Sequence, residues 1–173
     1  MIWLEGLPDG NTDWERFASL CPDAVAALSG LVGAAWADSD PVLLELARLR
    51  IAKLLGSGAE VERRSVRARD AGLTEAKVAE LAAWPTSPLF TRRERACLAL
   101  TEQFVVDANG INDTEIADVT EHLGPAGCYR FVQAVSVLET FQRACLTLGI
   151  ETGPDVDEIA AAGAAPTRPE VSR

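Results

Sequence analysis

The chain has 173 residues and 18.5 kDa, is 48% hydrophobic, and carries a formal net charge of −10 from 16 Lys+Arg against 26 Asp+Glu. That length suits one compact domain with short extensions and can bury a core without disulfide staples. An acidic chain without a basic stretch free of acids argues against a nucleic-acid or anionic-membrane partner, and its one histidine, His122, excludes a centre needing two or three imidazoles.

The N-terminus, MIWLEGLPDGNTDWERF, has no basic lead and no apolar core, so residues 1–20 read as an extension rather than a targeting signal. The longest uncharged stretch in the body of the chain, Ala24 to Ala37, is 14 residues, short of the roughly 20 a membrane span needs. The expectation is a soluble, cytoplasmic protein. The pattern is helical nearly throughout, which predicts an all-α domain over 21–150. Cys21-Pro22 opens a helix through Trp36. Asp40-Pro41 caps the next, VLLELARLRIAKLL, and Gly56 stops it.

Glu60 to Ala71 reads as one helix ended by Gly72, and Thr74 opens a short one to about Trp84, followed by a Pro85/Pro88 linker. Thr91-Arg-Arg-Glu94 is a capping box for a helix to about Ala108. Asn112 with Glu115 caps a short helix to His122, and Pro125 starts the last long helix, which Gly149 ends. Residues 151–173 are rich in Pro, Gly and small side chains and read as a flexible tail.

Four cysteines, at 21, 97, 128 and 145, lie at least 17 residues apart, so there is neither a CxxC redox pair nor a zinc knuckle, and neither a metal nor another cofactor is expected. In a reducing compartment such singletons are small core residues. Glu45 is less ordinary, because it interrupts the apolar face between Val42 and Leu55, and a buried carboxylate needs a partner. Arg48 at i+3 and Arg64 are the candidates. Glu60 and Arg64, four apart with the acid first, also make an ordinary helix-surface pair worth about 0.2–0.5 kcal/mol. Arg63, Arg64, Arg67 and Arg69, and likewise Arg92, Arg93 and Arg95, are interleaved with acids as on a solvated helix face; the sharper alternative is the mouth of an anion site. Trp36 and Trp84 read as core or interface aromatics.

The order of segments over about residues 20–150 resembles the carboxymuconolactone decarboxylase and AhpD-like alkylhydroperoxidase superfamily. The carriers are ELARLRIAKLLGS beginning at Glu45, ARDAGL ending at Leu73, SPLFTRRERACLAL from Ser87, the capped helix ending in EHLG, and TFQRACLTLGIE. The resemblance implies an AhpD-like helical domain with antiparallel helix pairs, and a homo-oligomer for which the apolar 24–37 segment offers an interface. His122 aligns with a family histidine outside the catalytic motif, which favours a helix C-terminal role.

In the family's peroxidase branch the chemistry lies in Glu-x₁₁-Cys-x-x-Cys-x₃-His, where one thiolate attacks the peroxide, a second thiol resolves it, and Glu and His relay protons. Laid on this chain the motif reads Glu45, Ser57, Glu60 and Arg64. A serine cannot cycle through a disulfide and an arginine cannot shuttle protons near neutral pH, so loss of thiol peroxidase activity is the expectation. In the decarboxylase-like branch, with Glu-x-x-x-His, Glu60 keeps the acid and Arg64 again replaces the imidazole. An arginine suits holding a carboxylate or enolate. The residues thus point to a pocket of Glu45, Glu60 and Arg64, with Ser57 at the lost-cysteine position and a Glu45–Arg64 bridge across it. Such a pocket would bind, or as a cofactor-free lyase or isomerase act on, a small anionic metabolite. The rival readings are a non-catalytic oligomeric subunit and a residual thiol peroxidase using distant cysteines such as Cys97 and Cys145.

Overall fold

The computed structural model describes residues 12–37, 39–150, 157, 158 and 161. The described residues form helices and turns, as the helical pattern predicts. They are α1 (Asp13–Leu20), α2 (Pro22–Ala37), α3 (Pro41–Leu55), α4 (Gly58–Glu62), α5 (Val66–Asp70), α6 (Glu75–Ala79), α7 (Arg92–Asp107) and α8 (Asp113–Leu148). Short 3₁₀ turns at Glu80–Ala83 and Ala108–Gly110 extend α6 and α7.

The helix starts follow from local chemistry. Asp40 Oδ1 accepts from the amides of Val42 (2.9 Å) and Leu43 (3.3 Å), with Pro41 at the first helical position, where no N–H is needed. Thr91 and Glu94 form the reciprocal capping box at α7, and Asn112 and Glu115 a second at α8. Gly56 and Gly149 end α3 and α8 at φ 73° and 65°, in the left-handed region glycine enters without steric cost. α1 falls within the stretch read as an extension; Thr12 caps it, and Trp14 places its ring 5.4 Å from that of Phe141.

α3 is the central element, packed on α7 and α8 and buried on nearly every side from Leu43 to Ala52. One core cluster joins α2, α3, α7 and α8 through Trp36, Leu44, Ile51, Leu100, Phe131 and Leu138. A second, on the opposite side of α3, joins Leu46, Leu49, Leu81, Trp84, Phe90 and Leu98. Each such side chain, moved from water to a packed interior, contributes about 1.5–3 kcal/mol. No single described helix is long and apolar enough to cross a membrane; α1 and α2 reach that length and composition only together, across a 117° bend.

Two boundaries differ from expectation. The helix expected over Glu60–Ala71 is two short helices, α4 and α5, separated by extended backbone at Arg63 (ψ 149°) and Ser65 (ψ 126°). The backbone there is spent on tertiary partners: the carbonyls of Glu60 and Arg63 accept from Arg48, and the Ser65 amide donates to Glu45. The helix expected from Thr74 to Trp84 tightens to 3₁₀ after Ala79. The break expected between the Asn112 and Pro125 helices is present within α8, at Gly124, whose φ of 70° and ψ of 167° are non-helical. The flexible tail expected over 151–173 lies outside the described residues except at Asp157, Glu158 and Ala161. Asp157 accepts from Ser65 Oγ (2.9 Å) and the Val66 amide (2.6 Å) at the start of α5.

Candidate functional site

α3 sets Glu45 and Arg48 one turn apart on the side facing α4, both essentially without solvent contact. Arg48 Nε and Nη2 donate to Glu45 Oε2 (2.7 Å) and Oε1 (2.8 Å), a bidentate pair. Its Nη1 donates to Glu60 Oε2 (2.8 Å) and the Glu60 carbonyl (2.9 Å), and Nη2 also reaches the Arg63 carbonyl (2.9 Å). All five guanidinium N–H groups are thereby used. Glu45 Oε1 accepts further from the Ser65 amide (3.0 Å), and Glu60 Oε1 from Arg63 Nη1 (2.9 Å). Two carboxylates face two guanidinium groups, so the cluster is electrically balanced. Burial opposes the charge on Arg48, but the hydrogen bonds and charges of Glu45 and Glu60 outweigh it and raise its pKa. From α8, Gln142 Nε2 donates to the Arg48 carbonyl (3.0 Å) and ties the cluster to the last helix.

The structure brings Glu45 and Glu60 together, but through Arg48 and not through Arg64. The expected Glu45–Arg64 bridge does not form. Arg64 turns away, its Nε 3.2 Å from both carboxylate oxygens of Glu75 and its Nη1 on the carbonyls of Val61 and Arg63. The reason is reach: Arg48, on the same helix one turn on, offers Glu45 a two-toothed partner without crossing between elements. Ser57 is buried at the turn into α4, where its amide donates to the Ala52 carbonyl (2.9 Å) and its carbonyl accepts from Val61 (3.0 Å). None of Glu45, Ser57, Glu60 and Arg64 lines any of three hollows bordered by α2, α3, α7 and α8.

The thiols stand apart. Cys97, Cys128 and Cys145 are buried and reduced, and Cys21 is exposed. Burial pushes the Cys97 thiol up to about 12; among its charged neighbours Arg93 partly opposes this and Cys128, Asp40 and Glu94 add to it. Burial likewise raises Cys145 to about 12, with Glu60 adding and Arg63 opposing. The two therefore answer to different surroundings, Cys97 to the start of α7 and Cys145 to the Glu60 cluster. At those values the thiolate needed to attack a peroxide is scarce at neutral pH. The sequence favours Arg64 over Arg48 as the partner of Glu45 and does not show that the charges of Glu60 and Arg63 act on Cys145. Arg48 had a signal, as an arginine set among apolar residues on the same helix as the intruding glutamate; Cys145, 85 residues from Glu60 in sequence, had none.

Among the described residues, no group of three or more His, Cys, Asp and Glu side chains is placed to hold a metal ion. The Glu45–Arg48–Glu60–Arg63 cluster has its acceptors and donors committed to one another, so in this state it works as a structural ion network.

Comparison with known proteins agrees with the fold. Residues 22–103, which include α2 to α6 and most of α7, match the carboxymuconolactone decarboxylase family model. A search of curated proteins finds no match. The crystal structure of a protein of unknown function from Agrobacterium tumefaciens, described there as a candidate antioxidant defence protein AhpD, superposes with a TM-score of 0.70 at 22% identity. The superposition covers 79% of this chain and 94% of that one, and at such identity the likeness is one of fold. The matched segment is thus similar to the carboxymuconolactone decarboxylase family, and the all-α architecture is that of the AhpD-like fold.

Proposed function

We propose that this protein is a redox-inert member of its family that binds a small organic anion in the cytoplasm instead of reducing a hydroperoxide. The observation that carries this reading is the saturation of Arg48: three of its five donors occupy the buried carboxylates of Glu45 and Glu60, and the other two the carbonyls of Glu60 and Arg63. A general base must be free to accept a proton from a bound molecule; Glu45 already accepts three hydrogen bonds. With Ser57 and Glu60 at the cysteine positions and the nearby Cys145 thiol held protonated by burial, peroxidase chemistry lacks its nucleophile. Anion binding is supported by arginines gathered away from this cluster, on α7 and α8. A thermal-shift series with acetate, malonate, citrate and phosphate at fixed ionic strength tests it. A concentration-dependent rise in Tm for at least one of them, absent with sodium chloride, is the expected result; a flat response to all four overturns the reading.

A second reading, self-association, is favoured by α2. This helix has one charged residue, Asp23, and is apolar on all sides, yet buries only Val32, Gly33 and Trp36 within one chain. Helices with that composition are ordinarily covered. Light scattering at micromolar concentration giving twice the monomer mass or more supports it, and a monomer counts against it.

A further inference from the structure

A hollow of about 380 Å³ opens where α8 bends at Gly124, between the starts of α3 and α7. Its wall includes Asp40, Leu43, Arg93, His122, Arg130 and Phe131. In a chain of net charge −10 this lining is basic. The one carboxylate among its described lining residues, Asp40, is already engaged, with Oδ1 on the α3 amides and Oδ2 accepting from Arg93 Nη1 at 2.8 Å. The side chains of Arg130 and His122 form no hydrogen bond or ion pair among the described residues. Arg93 Nε is enclosed and has no acceptor among the described residues, an unmet donor of the kind that native structures rarely leave. His122 also lines a third hollow, of about 410 Å³, whose wall carries Asp118 and Glu121 as well as Arg92 and Arg95.

A second hollow of about 300 Å³ continues from the first, sharing Ser39 and Arg130 with it. Its remaining wall is largely apolar, with Leu31, Ala34 and Ala35 from α2 and Val137 from α8. A basic chamber opening into an apolar groove, with one arginine at the junction, selects for a molecule with an anionic head and a hydrocarbon body.

The geometry points to a binding site for an amphiphilic monocarboxylate, its carboxylate held by Arg93, Arg130 and His122 at the bend of α8 and its apolar body laid along the groove between α2 and α8. Bidentate capture by a guanidinium suits a planar carboxylate. The apolar body supplies affinity that a small polar acid lacks, about 0.8 kcal/mol for each buried methylene. This assignment rests on the anion-binding reading above and gives it a place and a ligand class.

Calorimetric titration of the full chain with octanoate, acetate and 1-octanol tests it. Octanoate is expected to bind at least about tenfold tighter than either of the others, because each comparison compound lacks one half of the recognition. Arg130→Gln is expected to weaken octanoate by about tenfold and leave 1-octanol unchanged. Leu31→Asp, at an exposed position where folding is not at stake, is expected to weaken octanoate and spare acetate. Circular dichroism confirms that both variants fold. If octanoate binds the wild type but both variants bind it equally well, this site is overturned while anion binding stands elsewhere. If no carboxylate binds, both the site and the reading beneath it fall. If Leu31→Asp lowers the mass in light scattering and leaves octanoate affinity unchanged, a second copy covers the groove and the assignment of the apolar body is overturned.

Discussion

Arg48→Met removes the one side chain that reconciles Glu45 with Glu60. Methionine has nearly the bulk of the arginine stem, so the lost volume is small and the effect is electrostatic. Five hydrogen bonds disappear, and two carboxylates stay buried with one cation, Arg63, left on Glu60 and none on Glu45. Removing one partner of a buried ion pair costs about 3–5 kcal/mol. For a domain of this size each kcal/mol shifts Tm by about 2–4 °C, so a fall of about 6–20 °C is expected. The triple variant Glu45→Met, Arg48→Met, Glu60→Met replaces the whole network by apolar bulk. It leaves the Ser65 amide, the carbonyls of Glu60 and Arg63, and the partly exposed Arg63 Nη1 without the partners they have in the network. It is expected to recover at least about 2 kcal/mol of the single variant's loss, because orphaned buried charges are costlier than orphaned backbone groups. Urea denaturation followed by circular dichroism measures both. A loss below about 1 kcal/mol for Arg48→Met, or a triple variant less stable than the single one, refutes the ion-network account.

Two further outcomes follow from other parts of the molecule. Because burial raises Cys97 and Cys145 to about 12 from an ordinary 9.0, the folded chain keeps both protons where the unfolded chain loses them. That contribution to stability is complete below pH 9 and lost as pH rises from 9 toward 12, by about 1.4 kcal/mol per pH unit for each thiol. Denaturation at pH 8, 9 and 10 reads this, and iodoacetamide at pH 8 should label exposed Cys21 well before either buried thiol in a peptide-mass map; equal labelling of all three contradicts it. Gly124→Ala should lower stability by about 1–3 kcal/mol through backbone strain alone, since φ 70° with ψ 167° is a glycine conformation and an added Cβ meets nothing within 4 Å. Gly58→Ala, in an ordinary helical conformation with equally open surroundings, should be neutral or slightly stabilising, and equal losses in the two variants would contradict the strain argument.

The helix boundaries legible in the sequence were those set within a few residues. Asp40-Pro41, Thr91 with Glu94, Asn112 with Glu115, and the glycines at 56 and 149 each satisfy a helix end locally, and each does so in the structure. The break at Arg63–Ser65 was not legible, because it is made by Arg48 and Glu45, which reach back 12 to 20 residues and take backbone groups that a continuous helix would have used. The partner of Glu45 was half legible: the intruding acid stood out, but the choice between Arg48 and Arg64 depended on where α4 turns. The hollow at α8 was invisible for the same reason. Arg93, His122 and Arg130 are scattered over three segments, and only the bend at Gly124 gathers them.

The proposal that this chain is redox-inert is tested most directly by hydroperoxide turnover. Consumption of tert-butyl hydroperoxide with dithiothreitol as reductant should be the same for the wild type and for Cys21→Ser, Cys97→Ala, Cys128→Ala, Cys145→Ala combined, and both should equal the rate without protein. Turnover by the wild type that disappears in the cysteine-free variant would contradict the account.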